Sequence, residues 1–170
     1  MSHDTAGDDT RTPAAQALAE AAARQLRSED RATRAAGIEL LEIGPGHASM
    51  SMEVAEHMTN GHGMCHGGYI FLLADSAFAY ACNSHNQRTV AAGAEIHFVA
   101  PAALGERLVA RAVERHRGAR SGLYDVSVTT ADGRRIALFR GRSATIRGQL
   151  VPAGAARDAE PGSRPGPDAS

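Results

Sequence analysis

The sequence predicts an α+β protein in which one antiparallel sheet curls around a long central helix. This helix is predicted from a stretch of about 20 residues that begins at His66 and is apolar on nearly every side. A strand of that length is improbable, and closely spaced Ala, Leu and Phe suit a buried helix. Segments before and after this stretch alternate apolar and polar residues, which is typical of strands that bury one face.

The chain before the central helix predicts two helical segments and a hairpin. Thr12 can cap a helix whose first residue is Pro13, and we expect this helix to end near Arg27. A short helical turn follows and ends near Gly37. The segments IELLEIG and ASMSMEVAEHM then form two strands around the turn residues Pro45-Gly46, because the second of them has a period of two.

Four further strands are predicted after the central helix, at 89–99, 107–118, 122–130 and 134–146. The residues Ala131-Asp132-Gly133 between the last two are typical of a hairpin turn.

Both ends of the chain lack the periodicity of a packed element. Residues 1–11 are polar, and the C-terminal end is rich in Pro, Gly and Ala. Neither end can bury enough apolar area to offset the entropy lost on ordering. We therefore predict disordered tails at 1–11 and 149–170, on either side of a single domain at 12–148.

Composition excludes several classes of protein. The 18 basic and 19 acidic residues give a formal charge of −1, which argues against nucleic-acid binding by bulk electrostatics. No uninterrupted stretch of about 18 apolar residues exists, so we expect no membrane span. The acidic N-terminus has no apolar segment, so we expect no secretory signal. Two cysteines cannot form a disulfide framework, which favours a cytoplasmic protein with reduced thiols.

The core of a single chain is predicted to be thin. Aromatic residues make up only 4% of the chain, Trp is absent, and much of the apolar content is Ala. Burial of a subunit interface compensates for a thin core, so the composition favours an oligomer.

Asp75 is the strongest candidate for a catalytic residue. It lies in the segment IFLLADSAFAYA, with no basic residue within one helical turn on either side. Carboxylates are rarely buried without a partner or a function, and desolvation raises their pKa, which makes them usable bases. The alternative is that Asp75 faces a solvent channel.

A second candidate site lies at the start of the same helix, at His66-Gly67-Gly68. The first N–H groups of a helix are unpaired, and glycine lets a ligand oxygen approach them closely, so they can form an oxyanion hole for a carbonyl. The glycines could equally serve only to shape the turn into the helix.

The spacing of these candidates predicts a site that two subunits share. Gly67 and Asp75 are eight residues apart, which is about 12 Å along a helix. One small carbonyl cannot contact both in a single chain. Antiparallel pairing of two central helices across a dimer would bring Gly67 of each chain close to Asp75 of the other.

The stretch NGHGMCHGGYIFLLADSAFAYACNS resembles the hot-dog-fold acyl-CoA thioesterases of the phenylacetate-degradation type. The segments VAAGAEIHFVAPA, RHRGARSGLYDV and RRIALFRGRS are similar to the same family, and the resemblance extends from Pro13 to Arg147. It implies a hot-dog fold, homodimers that pair into tetramers, and hydrolysis of (hydroxy)phenylacetyl-CoA-type thioesters to the free acid and CoA in phenylacetic acid degradation. The thioester is the substrate, and no cofactor is implied.

The resemblance also implies roles for individual residues. Asp75 would activate water or attack the thioester carbonyl itself, Gly67 would polarise the carbonyl oxygen, and Asn60 would orient the carboxylate or the water. His66 and Gly68 line the same turn, and Phe78 is a candidate contact for the acyl group. Some related enzymes place a hydroxyl one turn after the acid, where this chain has Ala79.

A basic, glycine-bracketed loop is the candidate CoA-binding element. Arginine suits bidentate contact with phosphate, and glycine exposes backbone N–H groups to a ligand. The family binds nucleotide phosphates near this region, although an ordinary solvated hairpin loop would have the same composition. The residues of the loop are Arg117, Gly118, Arg120, Ser121 and Gly122.

Other functions fit the sequence less well. The four residues His57, His62, Cys65 and His66 have a spacing that matches no structural zinc pattern, so we expect no metal. A hydratase or dehydratase of the same fold needs a His paired with an acid. A non-catalytic acyl-CoA-binding protein has no need of Asp75. A thioesterase acting on medium-chain acyl-CoA remains an alternative substrate class.

Overall fold

The computed structural model describes residues 12–152. The predicted tail at 1–11, and the predicted C-terminal tail from residue 153 onward, lie outside the described residues. The helices are α1 (Pro13–Glu29), α2 (Arg31–Ala35) and α3 (Gly67–Asn83), with a 3-10 turn at Glu56–Met58. The strands are β1 (Glu39–Gly44), β2 (His47–Glu53), β3 (Gln87–Phe98), β4 (Arg107–Arg117), β5 (Ser121–Thr130) and β6 (Arg135–Gln149).

The strands form one antiparallel sheet in the order β1-β2-β4-β5-β6-β3. Helix α3 packs against one face of this sheet and contacts every strand. Leu73, Ala74 and Ala77 on its inner face have no exposed surface. The predicted α+β architecture, with a sheet wrapped around the central helix, is confirmed.

Helix α1 covers the β1 side of the sheet. Its N-terminus has the predicted cap, because Thr12 Oγ1 accepts a hydrogen bond from Ala15 N at 3.2 Å and Pro13 is the first helical residue. Gln16 Nε2 donates to the carbonyl of Ile43 at 2.8 Å, which fastens the helix to the end of β1. The helix ends at Glu29, two residues beyond the predicted end at Arg27.

The folded chain extends further toward the C-terminus than the sequence predicts. The predicted boundary lies at residue 148, but β6 continues to Gln149, which pairs with Gln87 of β3. Asn86 then holds the following residues: its Oδ1 accepts from Leu150 N at 3.1 Å and Val151 N at 2.9 Å, and its Nδ2 donates to Val151 O at 3.0 Å. Composition alone did not reveal these contacts, because they depend on a distant side chain.

Asn86 is expected to stabilise the fold through these three hydrogen bonds. It is 3% exposed and has a φ of 60°, a left-handed conformation that Asn tolerates and Ala does not. We expect Asn86→Gly to lower the free energy of unfolding by about 2 kcal/mol through the lost hydrogen bonds. Asn86→Ala should cost about 1 kcal/mol more through backbone strain. Urea unfolding of both variants measures these losses, and wild-type stability of Asn86→Gly would show that the contacts contribute nothing.

Candidate active site

The site begins at the first turn of α3, where the chain leaves a backbone N–H group free. His66 caps the helix, and its Nδ1 accepts a hydrogen bond from Gly68 N at 2.9 Å. The N–H of Gly67, the first helical residue, finds no acceptor within residues 12–152. A helix N-terminus carries a partial positive charge, so this N–H is suited to a carbonyl oxygen that gains negative charge.

A side chain at position 67 would meet the end of β3. A Cβ atom there would lie 2.9 Å from the ring of Phe98, closer than real carbon contacts allow. The exposed ring of Phe98 therefore covers the helix start and helps to shape the space in front of it.

Asn60 presents a free side-chain NH₂ group on the loop that precedes α3. Its Oδ1 accepts from His62 N at 2.9 Å and Met64 N at 3.4 Å, and its own N–H donates to Met64 O at 2.8 Å. These bonds fix the orientation of the side chain. Its NH₂ group has no acceptor among the described residues and can donate to a ligand.

Asn60 and Gly67 line the same cleft. The cleft has a volume of about 480 Å³ and opens to the surface. Its remaining walls are largely apolar: Met64, Cys65, Ile70, Phe98, Val99, Ala100 and Pro101. A cleft of this kind suits a ligand with one polar reacting group and an apolar body.

Asp75 does not line this cleft. It lies half-buried two turns further along α3, and within residues 12–152 its carboxylate forms neither a hydrogen bond nor an ion pair. Burial raises the pKa of Asp75 because desolvation disfavours the charged form. A carboxylate with a raised pKa and no partner is typical of a general base or nucleophile.

Within one chain, the structure therefore holds two half-sites. The first contains the donor groups of Asn60 and Gly67, and the second contains Asp75, about 12 Å along the helix. The sequence indicated that Asp75 would lack a partner and have a raised pKa, because no basic residue lies within one helical turn of it. The free N–H and the free amide are visible only in the folded loop.

The sequence also singles out two further residues of α3, Phe78 and Ala79. Phe78 does not fit the predicted contact with substrate, because it is 1% exposed and packs edge-on against Tyr124, with ring centroids 5.4 Å apart. Its ring fills the core between α3 and the sheet. Ala79 is partly buried one turn after Asp75, and its methyl group supplies no hydrogen bond to a water.

The candidate CoA loop lies at the other end of α3 from the cleft. Gly118 N donates to Ser121 O at 2.8 Å, which closes the turn between β4 and β5, and Thr145 N donates to Arg120 O at 3.0 Å. Arg117 and Gly118 line an open depression of about 370 Å³. Since α3 is 17 residues long, about 25 Å separates its two ends, so one chain does not bring the loop to the cleft.

Sequence reasoning missed the cleft walls supplied by the end of β3. Phe98 and Val99 are more than half exposed, at 53% and 57%, although both are large and apolar. The apolar run at the end of the predicted strand was the available signal. It also missed a buried contact between His85 and Glu114, whose side chains come from distant parts of the chain.

Neither cysteine is suited to nucleophilic catalysis. Burial raises the pKa of Cys65, and it raises the pKa of Cys82 to about 12. The residues His57, His62, Cys65 and His66 belong to no group of three possible metal ligands in the part of the chain that is described. No helix within residues 12–152 is both long and apolar enough to span a membrane.

Comparison with known proteins identifies relatives of the whole domain. Residues 62–137 match the model of the thioesterase superfamily. The acyl-coenzyme A thioesterase PaaI of Escherichia coli is 41% identical over 129 residues, which are 76% of this chain and 92% of that protein. Human acyl-coenzyme A thioesterase 13 is 33% identical over 106 residues, 61% of this chain and 76% of that protein.

Solved structures agree with these sequence matches. The structure of the E. coli PaaI protein, from the phenylacetic acid degradation operon, superposes with a TM-score of 0.77 at 40% identity and covers 78% of this chain and 96% of its own. The TT0310 protein of Thermus thermophilus gives a TM-score of 0.67 at 36% identity, covering 69% and 99%. With this identity over most of the domain and the same hot-dog fold, the chain belongs to the thioesterase superfamily.

Proposed function

We propose that this chain hydrolyses (hydroxy)phenylacetyl-CoA-type thioesters to the free acid and CoA, as part of phenylacetic acid degradation. As a member of the thioesterase superfamily, the chain is a thioester hydrolase. One observation carries the proposal: the start of α3 and the loop before it hold free hydrogen-bond donors at Gly67 and Asn60, and further along the helix lies an unpartnered and desolvated carboxylate at Asp75. The similarity to PaaI of E. coli supports the class of acyl group.

The geometry assigns each group a step in the reaction. The thioester carbonyl oxygen receives the N–H of Gly67, which stabilises the negative charge that develops there. Asp75 removes a proton from the attacking water, or attacks the carbonyl carbon itself to form a mixed anhydride that water then cleaves. The free amide of Asn60 donates to the water or to the carboxylate. The leaving thiolate of CoA takes up the proton.

The active enzyme is proposed to be a homodimer that shares its sites. Strand β3 lies at the edge of the sheet and leaves one side of its backbone without a neighbouring strand. Its exposed apolar side chains, Val90 and Phe98, favour cover by another chain. Antiparallel pairing of two such edges would place α3 beside α3 of the other subunit and bring Asp75 of the partner subunit toward Gly67.

The same arrangement explains the distant position of the candidate CoA loop. In an antiparallel pair of α3 helices, the C-terminal end of one lies beside the N-terminal end of the other. The loop at Arg117–Gly122 of the partner subunit then approaches the cleft at Gly67. We propose that its arginines and free N–H groups hold the phosphates of CoA while the acyl group enters the cleft.

Three further features complete the proposal. The outer face of the sheet exposes Val113 and Leu138, which favours pairing of two dimers into a homotetramer. Cys65 and Cys82 are both unpaired, in accord with a reducing compartment such as the cytoplasm. The proposed reaction needs no cofactor, since the CoA thioester is its substrate.

The first test is steady-state hydrolysis of a panel of CoA thioesters, scored by release of free thiol. The panel contains phenylacetyl-, hydroxyphenylacetyl-, hexanoyl- and acetyl-CoA. We expect the highest kcat/KM for the aryl substrates, because the cleft is wide and its walls are apolar. A preference for hexanoyl-CoA would assign the enzyme to medium-chain substrates, and binding without cleavage would indicate an acyl-CoA-binding protein.

Asp75→Asn should lower kcat by about 100-fold or more, because it removes the base while keeping the shape of the side chain. The matched control is Asp132→Asn, at an exposed turn, which should retain wild-type turnover. For the wild type, burial raises the pKa of Asp75, so kcat/KM should fall with decreasing pH already above the usual range of an aspartate. Undiminished turnover of Asp75→Asn would remove this residue from the mechanism.

Mixing two inactive variants tests the shared site. Asp75→Asn and Gly67→Ala are each expected to disable one half-site, the second because its Cβ would lie 2.9 Å from the ring of Phe98 and displace it. Random exchange of subunits should restore about a quarter of the wild-type activity, since each mixed dimer regains one intact site. Mixed dimers, verified by mass spectrometry, that stay inactive would place both half-sites in the same chain.

A further inference from the structure

A buried polar cluster lies between the C-terminal end of α3 and the candidate CoA loop. A single atom, Glu114 Oε2, accepts hydrogen bonds from His85 Nε2 at 2.9 Å and from Tyr124 OH at 2.7 Å. The side chains of His85 and Glu114 are 12% and 21% exposed, and Tyr124 is 1% exposed. None of the three has a role in the proposed reaction.

The cluster connects three elements that are distant in sequence. Glu114 and Tyr124 are directly opposite each other on β4 and β5, next to the bulge at the end of β4. His85 follows the last residues of α3. Glu114 N also donates to Gly46 O at 2.8 Å, which adds the β1–β2 turn. One carboxylate thereby joins the end of the helix to the strands that carry the loop.

The ring of Tyr124 transmits this connection to the loop itself. A Cβ atom at Gly122 would lie 2.7 Å from Tyr124 Cε2, so the backbone of the loop rests directly against the ring. The same ring packs edge-on against Phe78, three residues after Asp75 on α3. Any shift of Tyr124 therefore moves the C-terminal end of the loop relative to the catalytic helix.

Electrostatics favour a charged Glu114 in the folded protein. Burial raises the pKa of this carboxyl group, but hydrogen bonds from His85 and Tyr124, together with the positive charge of Arg117, lower it by more, so the net shift is downward. The charged form accepts both bonds and lies close to the first arginine of the loop. The cluster is thus held together at neutral pH.

We propose that Glu114 is a positioning residue for CoA: through Tyr124 and His85, it holds the loop at Arg117–Gly122 in the conformation that binds the phosphates. This inference rests on the proposed function, because it assigns the loop to CoA. Its effect is confined to the nucleotide part of the substrate. Loss of the cluster weakens the binding of CoA esters without changing the chemistry at Asp75.

The test compares two substrates with the same acyl group. Phenylacetyl-CoA carries the nucleotide phosphates, and the phenylacetyl thioester of pantetheine lacks them. We expect Tyr124→Phe and Glu114→Gln each to raise KM for the CoA ester by about tenfold, the effect of one lost charge-assisted hydrogen bond. The values of kcat for both esters, and KM for the pantetheine ester, should equal those of the wild type.

Two controls keep the outcomes distinct. Glu39→Gln removes an exposed carboxylate that pairs with Arg107, at the opposite end of β4 from the loop, and it should change neither KM. Tyr124→Phe retains the ring and its packing, so it decides the result if Glu114→Gln does not fold. An unchanged KM for the CoA ester, or an equal rise for both esters, would overturn the inference, the second by showing a general structural role.

Failure of the proposed function is recognised separately. If the wild type cleaves neither ester, the function is wrong, and the inference is then decided by calorimetric titration of CoA into the wild type and Tyr124→Phe. A dissociation constant about tenfold higher in the variant would support a loop held by the cluster. Equal constants, or no binding by the wild type, would overturn it.

Discussion

The rest of this structure depends on the enclosure of α3 by the sheet. The inner face of the helix is packed so closely that Leu73 and Ala77 have no exposed surface, and a Cβ atom at Gly141 of β6 would lie only 3.0 Å from the ring of Phe78. Burial of a leucine side chain alone contributes about 1.5–3 kcal/mol. A helix enclosed in this way can present polar groups only at its ends and along its one uncovered side.

That enclosure decides where chemistry can occur. The start of α3 offers the N–H of Gly67 to an open cleft, and the uncovered side offers the carboxylate of Asp75. Both groups lack partners within the described residues, whereas buried polar groups in proteins are almost always paired. Their separation along a rigid helix means that one chain holds the parts of the proposed catalytic site without assembling them. In the proposed dimer, the exposed edge of β3 is the surface through which a second chain would complete this site.

The C-terminal end of α3 is fastened by polar side chains as well as by apolar packing. Asn83 Nδ2 donates to Ala79 O and Thr89 O at 2.9 Å, and its Oδ1 accepts from Thr89 N at 3.0 Å, so the start of β3 is aligned with the helix. Asn86 and Glu114 hold the neighbouring segments in the same manner. Because these contacts join the helix to β3, β4 and β5, they fix the distance between α3 and the candidate CoA loop.

The sequence by itself determined the order of the elements, the enclosed helix and the identity of the main candidates. Periodicity reports which face of an element is buried, and a carboxylate such as Asp75 stands out in an apolar helix because desolvation is unfavourable. Only the tertiary structure decided that Phe78 belongs to the core, that β6 extends past residue 148, and that His85, Glu114 and Tyr124 meet. These outcomes depend on contacts between residues far apart in the chain, which no local pattern records.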